Sequence, residues 1–256
     1  MNAIYQWLRS VGSGRPARSD EDVLVINYTH LRKAVGWLGT LLPVILLVAN
    51  PIALSVENSS CGWLPGSVSG YYHSPVRNIF VGALCALGLF LIAYVGYDLG
   101  DRLVTDAAGV FGLGVAFFPT APTVTSQPSV TCQTVAQVST RQQVVGDLHA
   151  VWAVLFFVFL AWMAIRFTNT DKPPYPKKIL RNLIYKICAI VIIACLAAVL
   201  ITNFLPASFK PPFPWLFLFE ALAIFAFGVS WFVKGQTLIP AIKDVPEEVP
   251  VPAAQH

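Results

Sequence analysis

A few residues of types that do chemistry stand beside or inside long apolar runs of this chain. Ser69, Tyr72, His73 and Arg77 precede the apolar run that begins at Asn78. Asp147 and His149 open a later run, and Glu220 lies inside the last one. Arg77 is a planar, bidentate donor suited to a carboxylate or a phosphate. A carboxylate within an apolar span costs about 2.5–3.5 kcal/mol on insertion scales, so it faces a partner or a water-filled cavity. Arg77 with Glu220 is the natural pair, and His149 can complete a network with them. Three chemistries fit this set. It can be an ion pair that fixes helix register, with hydroxyls from Ser69 and Tyr71 or Tyr72 around it. It can be the polar floor for a lipid headgroup or another amphipathic ligand. It can also be a metal-assisted hydrolytic centre with His73, His149 and Asp147 or Glu220 as ligands. A catalytic zinc takes three protein ligands. The chain has only 4 histidines, of which His30 and His256 lie elsewhere, and it has no His-Glu-x-x-His and no His-x-x-x-His. No metal or cofactor is therefore expected, and no catalytic residue is assigned.

The elements that must position these residues follow from composition and spacing. Of the 256 residues, 56% are hydrophobic and 12% charged, with a mean hydropathy of +0.65. A soluble domain carries roughly 25% charged residues, so lipid is the solvent implied. Apolar runs fall at about 34–56, 78–97, 103–118, 148–167, 183–204 and 215–233. Most are near the 20 or so residues that cross a bilayer as a helix. The fold expected is all-α, a polytopic bundle of six transmembrane helices (34–233), with a cytoplasmic segment at 1–33 and a disordered tail at 234–256. Pro43 and Pro51 within the first run predict a kink. Gly109, Gly112 and Gly114 give the third run a small face for close helix contact.

Orientation follows the Lys/Arg bias. With both termini in the cytoplasm, the outer segments hold only Arg77, Arg141 and Lys210 of the 17 basic residues. All the candidate site residues then fall at one depth on the outer side. Cys61 and Cys132 are the only cysteines in outer segments, and an oxidising outer compartment permits a disulfide between them. Cys85, Cys188 and Cys195 fall within spans as packing residues. The inner ends hold Asp98, Asp101, Arg102 and Asp106, read as a solvated turn with local ion pairs. Tyr97 and Trp231 read as interfacial anchors.

Several function classes are disfavoured. The +4 net charge is spread over short segments and is no nucleic-acid footprint. There is no P-loop, no Gly-x-Gly-x-x-Gly and no Gly-x-Ser-x-Gly. The middles of the spans after the first are uncharged and unbroken, which speaks against a proton-coupled transporter.

The order of elements resembles the DRAM-like superfamily of six-span membrane proteins, the damage-regulated autophagy modulators and their lipid-remodelling relatives. The residues that carry the likeness are Ser67-Val68-Ser69-Gly70, Pro75 and Phe80, Ala108-Gly109, His149, and Glu220 with the aromatic run to Trp231. Bacterial members look closer still, through the run from Ser67 to Leu84 and the run from Glu220 to Gly235. The resemblance implies a membrane protein of lipid handling or membrane regulation, in a bacterial inner (plasma) membrane. The long Thr- and Gln-rich stretch before the fourth run and the basic inner loop depart from the eukaryotic members, so no regulatory partner is carried over. The function expected is a non-enzymatic integral membrane protein that binds a membrane lipid or a membrane-protein partner through the outer cluster. Two alternatives are a metal-dependent membrane lipid hydrolase and an accessory subunit docking through the aromatic and small-residue faces of the third and fourth spans.

Overall fold

Long runs of Leu, Val, Ile, Phe and Ala without charge favour the one structure that satisfies every backbone group internally, the α-helix. The computed structural model describes residues 20–57, 62–96, 98–122, 138–168, 176–203, 213–235 and 238. Among them it contains six α-helices and a short 3-10 turn, with no strand. The helices are α1 (Asp20–Val56), α2 (Arg77–Ala93), α3 (Leu99–Phe117), α4 (Thr140–Arg166), α5 (Pro176–Asn203) and α6 (Trp215–Lys234), and the 3-10 turn is Ser69–His73. Four stretches, Thr29–Val56, Thr140–Arg166, Lys178–Thr202 and Trp215–Lys234, are long and apolar enough to cross a membrane. Arg77–Ala93 is a shorter apolar helix.

Each helix packs on its neighbours in sequence, and α1 packs on α6, which closes a ring. A further contact between α4 and α6 crosses the middle. Inside the ring lie Leu46, Phe80, Leu91, Leu160, Ile192, Phe227 and Trp231, all essentially inaccessible. Outside it, Ile45, Val48, Leu89, Val110, Ile190 and Leu222 are exposed. A surface of exposed aliphatic side chains on every helix suits hydrocarbon better than water.

Backbone approach sets two of the seams. A Cβ on Gly109 would lie 2.5 Å from the Gly88 carbonyl oxygen, and one on Gly88 would lie 2.9 Å from that of Gly109. The two glycines thus let α2 and α3 touch backbone to backbone. A Cβ on Gly228 would likewise meet the Gly36 carbonyl oxygen at 2.9 Å, at the seam between α6 and α1. The small and aromatic faces of α3 and α4 are turned on each other. Phe111 stacks on Phe159 at 5.2 Å and tilts against Trp152 at 5.6 Å, and a Cβ on Gly112 would meet the Phe156 ring at 3.0 Å.

Helix ends follow their capping chemistry. Helix α4 starts before the apolar run because Ser139 and Gln142 form a reciprocal capping box. Helix α3 likewise starts early, with the Asp98 carboxylate accepting from the Asp101 N–H. Helix α1 runs through Pro43 and Pro51 without interruption. Trp231 is not an interfacial anchor. It is inaccessible and sits between Tyr94, 5.0 Å away, and Phe167, 5.3 Å away. Its apolar area makes it the centre of the inner core rather than its rim. Tyr97, Cys61 and Cys132 lie outside the described residues, as do 1–19 and most of 236–256. Among the described residues there is no disulfide, and Cys85, Cys188 and Cys195 are free thiols.

Candidate functional site

The segment from Gly62 to Val76 does not simply bridge α1 and α2. It folds into the mouth of the ring at the end where α1 finishes and α2 begins, with Val68 and Tyr71 buried. A connection that enters a core must find partners for its peptide groups. Asn50 of α1 donates from Nδ2 to the Trp63 carbonyl at 2.8 Å. The Phe217 N–H of α6 donates to the Gly66 carbonyl at 3.0 Å. The first N–H groups of the 3-10 turn have no partner within it. Glu220 supplies one from another helix: its Oε2 accepts from Val68 N at 2.7 Å and from Ser69 N at 3.3 Å. Within the segment, Ser67 Oγ accepts from Gly70 N at 2.8 Å and Ser74 Oγ donates to the Tyr71 carbonyl at 2.8 Å.

Below this plug, α4, α5 and α6 enclose a cavity of about 250 Å³. Its polar lining is Ser67, Ser69, Thr120, His149 and Glu220. Its walls are apolar: Ala150, Ala153, Val154 and Phe157 from α4, Cys195, Leu196, Val199 and Leu200 from α5, and Trp215, Leu216, Phe219 and Ala223 from α6. His149 is buried, and its Nδ1 lies 2.6 Å from the Phe118 carbonyl. A carbonyl only accepts, so Nδ1 carries the proton and donates. Neither Glu220 Oε1 nor His149 Nε2 has a hydrogen-bond partner among the described residues.

A second depression of 670 Å³ lies beside it, lined by Tyr72, His73, Arg77, Phe118, Thr120 and Arg141 among others. Thr120 belongs to both. His73 Nε2 donates to the Thr120 carbonyl at 2.8 Å. Arg77 is exposed and its guanidinium lies 5.7 Å from the centre of the Tyr72 ring, within cation–π range.

The residues singled out from the sequence are thus divided. Ser69, His149 and Glu220 meet in the cavity, while Tyr72, His73 and Arg77 meet in the neighbouring depression. Asp147 is exposed, lines neither, and accepts from Gln143 Nε2 at 2.9 Å. The expected Arg77–Glu220 pair does not form. Glu220 Oε2 takes two peptide N–H groups instead, and Arg77 lies against an aromatic face. Among the described residues no group of three or more His, Cys, Asp or Glu is placed to hold a metal ion. Ser67, Thr120 and the α5 wall were not singled out. Ser67 and Thr120 carry the only available signal, hydroxyls at the outer ends of apolar runs. The α5 wall carries none, because its lining residues read as ordinary span.

At the opposite end of the ring Arg166 links different helices. Arg166 of α4 donates to Asp98 Oδ1 at 2.6 Å and to Asp101 Oδ1 at 2.7 Å. Asp98 is held below the usual carboxylate range, first by the Asp101 N–H and then by the Arg166 charge. Arg102 and Asp106 form a local pair at 3.7 Å. The turn therefore does more than sit in solvent, since it fastens α3 to α4.

Compared with protein-family models, with curated proteins and with solved structures, the chain matches none.

Proposed function

We propose that this chain is an integral membrane protein of six spanning helices with both termini cytoplasmic, and that it binds an amphipathic, lipid-like ligand in the outer cavity without catalysing a reaction on it. The observation that carries the reading is the cavity itself. Apolar walls from three helices surround a floor with a carboxylate and an imidazole, each with one atom unbonded among the described residues. Pockets for small molecules have this composition, mostly apolar with a few placed polar groups.

Six spans are supported by the closed ring, in which the shorter α2 and α3 stand between long apolar helices. At 1.5 Å per residue, 17 and 19 residues extend about 26 and 28 Å, close to the roughly 30 Å of a hydrocarbon core. The basic segments gather at the end that holds Arg32, Arg166 and Lys234, which supports a cytoplasmic placement of that end. Membership of the DRAM-like superfamily belongs to the same proposal. Its support is that the two runs carrying the resemblance meet through Glu220 and the Val68 and Ser69 peptides. The closer likeness to the bacterial members, in the runs Ser67 to Leu84 and Glu220 to Gly235, supports a bacterial inner membrane.

Native mass spectrometry of the full chain in mild detergent, with lipid analysis of the same sample, tests the reading. A co-purifying lipid that disappears when Ala153→Trp fills the cavity supports it. Protein that carries the same lipids with the cavity filled, or none in either form, counts against it. A reporter fused to the C-terminus and active only in the cytoplasm supports the topology.

A further inference from the structure

The carboxylate and the imidazole that line the cavity are one-sided in their hydrogen-bonding sense. Glu220 Oε2 is occupied by the Val68 and Ser69 N–H groups, which leaves Oε1 as the open acceptor. His149 spends its Nδ1 proton on the Phe118 carbonyl, so the neutral ring presents the lone pair of Nε2. The Ser67 hydroxyl accepts from Gly70 and keeps its own O–H, and the Ser69 and Thr120 hydroxyls can donate or accept, so the carboxylate and the imidazole set the sense of the site. Among the described residues no lysine or arginine lines the cavity. An acidic oxygen and an imidazole lone pair within apolar walls are poor company for an anion, and they complement a group rich in N–H donors. Cationic residues on this side, Arg77 and Arg141, line the neighbouring depression instead.

Resting on the reading of the cavity as an amphiphile site, we propose that its ligand carries a protonated primary amine as head group. Glu220 Oε1 and His149 Nε2 accept from the ammonium N–H groups, and the chain lies along Phe157, Leu196 and Phe219. An ammonium with its protons replaced by methyl groups keeps the charge and loses the donors. A carboxylate head would face Glu220 with no cation between them, a built-in discrimination against anionic amphiphiles.

The test is native mass spectrometry of the full chain in mild detergent titrated with dodecylamine, dodecyltrimethylammonium and dodecanoate, and separately with dioleoyl phosphatidylethanolamine and its choline counterpart. Ala153→Trp, which fills the cavity, supplies the background to subtract. Dodecylamine is expected to bind about tenfold or more tightly than the other two single-chain probes, and Glu220→Gln is expected to shrink that preference. His149→Phe, which removes the second acceptor and leaves the plug's bonds to Glu220 in place, is the fallback should Glu220→Gln fail to fold. Retention of the ethanolamine lipid over the choline lipid identifies an aminophospholipid as the source. Retention of dodecylamine with neither phospholipid identifies a free long-chain amine. Equal retention of the three single-chain probes above background, or a preference for dodecanoate, overturns the amine assignment and leaves the amphiphile site standing. Retention of none above background overturns both.

Discussion

The Glu220 carboxylate accepts the Val68 backbone N–H at 2.7 Å, across 152 positions of sequence. With Ser69 N at 3.3 Å on the same oxygen, it caps a 3-10 turn that belongs to a different part of the chain. This explains why a carboxylate is tolerated inside α6. The turn offers oriented N–H groups at its N-terminus, where negative charge is favoured. Glu220→Ala is expected to lower the stability of the purified protein by about 2–6 kcal/mol, since it strands two peptide donors at about 1–3 kcal/mol each. Glu220→Gln keeps an acceptor oxygen and is expected to cost less than half as much. Thermal unfolding in detergent reads the difference, and faster hydrogen exchange at Val68 and Ser69 in Glu220→Ala locates it. Equal losses for the two variants would mean that Glu220 does not cap the turn.

Tyr71 anchors the same plug by its ring. The residue is fully buried, its ring meets Phe217 edge-on at 6.2 Å, and its hydroxyl is buried without a hydrogen-bond partner among the described residues. Burial pushes the phenol up to about 12. Removing an unpaired buried hydroxyl relieves a desolvation cost, so Tyr71→Phe is expected to be neutral or stabilising by up to about 1 kcal/mol. Tyr71→Ala removes the ring as well and is expected to cost about 3–5 kcal/mol. A marked loss in Tyr71→Phe, measured by the same unfolding assay, would show that the hydroxyl is bonded in solution.

The helices were legible in the sequence because an uncharged run of bilayer length has few other stable forms. Their ends were less so. Ser139 and Gln142 extend α4 through a polar stretch, and Asp98 starts α3 ahead of its apolar run, so cap chemistry set those limits where hydropathy did not. The site was half legible. Glu220, His149 and Ser69 stood out by type at the right depth, and the ring brings them to one cavity. The partner of Glu220 did not stand out, because charge complementarity pointed to Arg77 while peptide N–H groups carry no signature in a sequence. The inward fold of residues 62–76 was equally hidden. Val68 and Tyr71 stand in a polar stretch between apolar runs, and their burial depends on the mouth of a ring being there to receive them.

Gly88 and Gly109 make a prediction about assembly of the ring. Each would place a Cβ within 3 Å of the other's carbonyl oxygen, and that atom is backbone and cannot swing aside. Gly109→Val is expected to push α2 and α3 apart at a cost of about 1–3 kcal/mol or more. Gly82, whose added Cβ would meet nothing within 4 Å, is the matched control: Gly82→Ala is expected to gain stability slightly, as glycine to alanine does in a helix interior, by up to about 1 kcal/mol. Detergent unfolding of the pair separates a packing requirement from a general intolerance of change in α2 and α3.

The Asp98–Arg166 clamp has a defined response to acid. Asp98 accepts both from the Asp101 N–H and from Arg166, and these hold its carboxyl below the usual range, which lies near pH 4. A group depressed on folding contributes stability that is fully present above its unfolded value and lost as pH falls through its folded value. The contribution is therefore intact at about pH 6 and disappears below about pH 4. Asp98 is exposed on this surface, so salt is expected to weaken the Arg166 part of the effect and to leave the N-cap part. Asp98→Asn keeps an oxygen for the cap and loses the charge. Its unfolding midpoint is expected to start lower than that of the unaltered protein at about pH 6 and to converge with it as the pH falls below about 4. Parallel curves across that window would show that Asp98 and Arg166 are neighbours without being coupled, and that the Asp101–Arg166 pair and the Gly112–Phe156 and Phe111–Trp152 contacts hold α3 to α4 without Asp98.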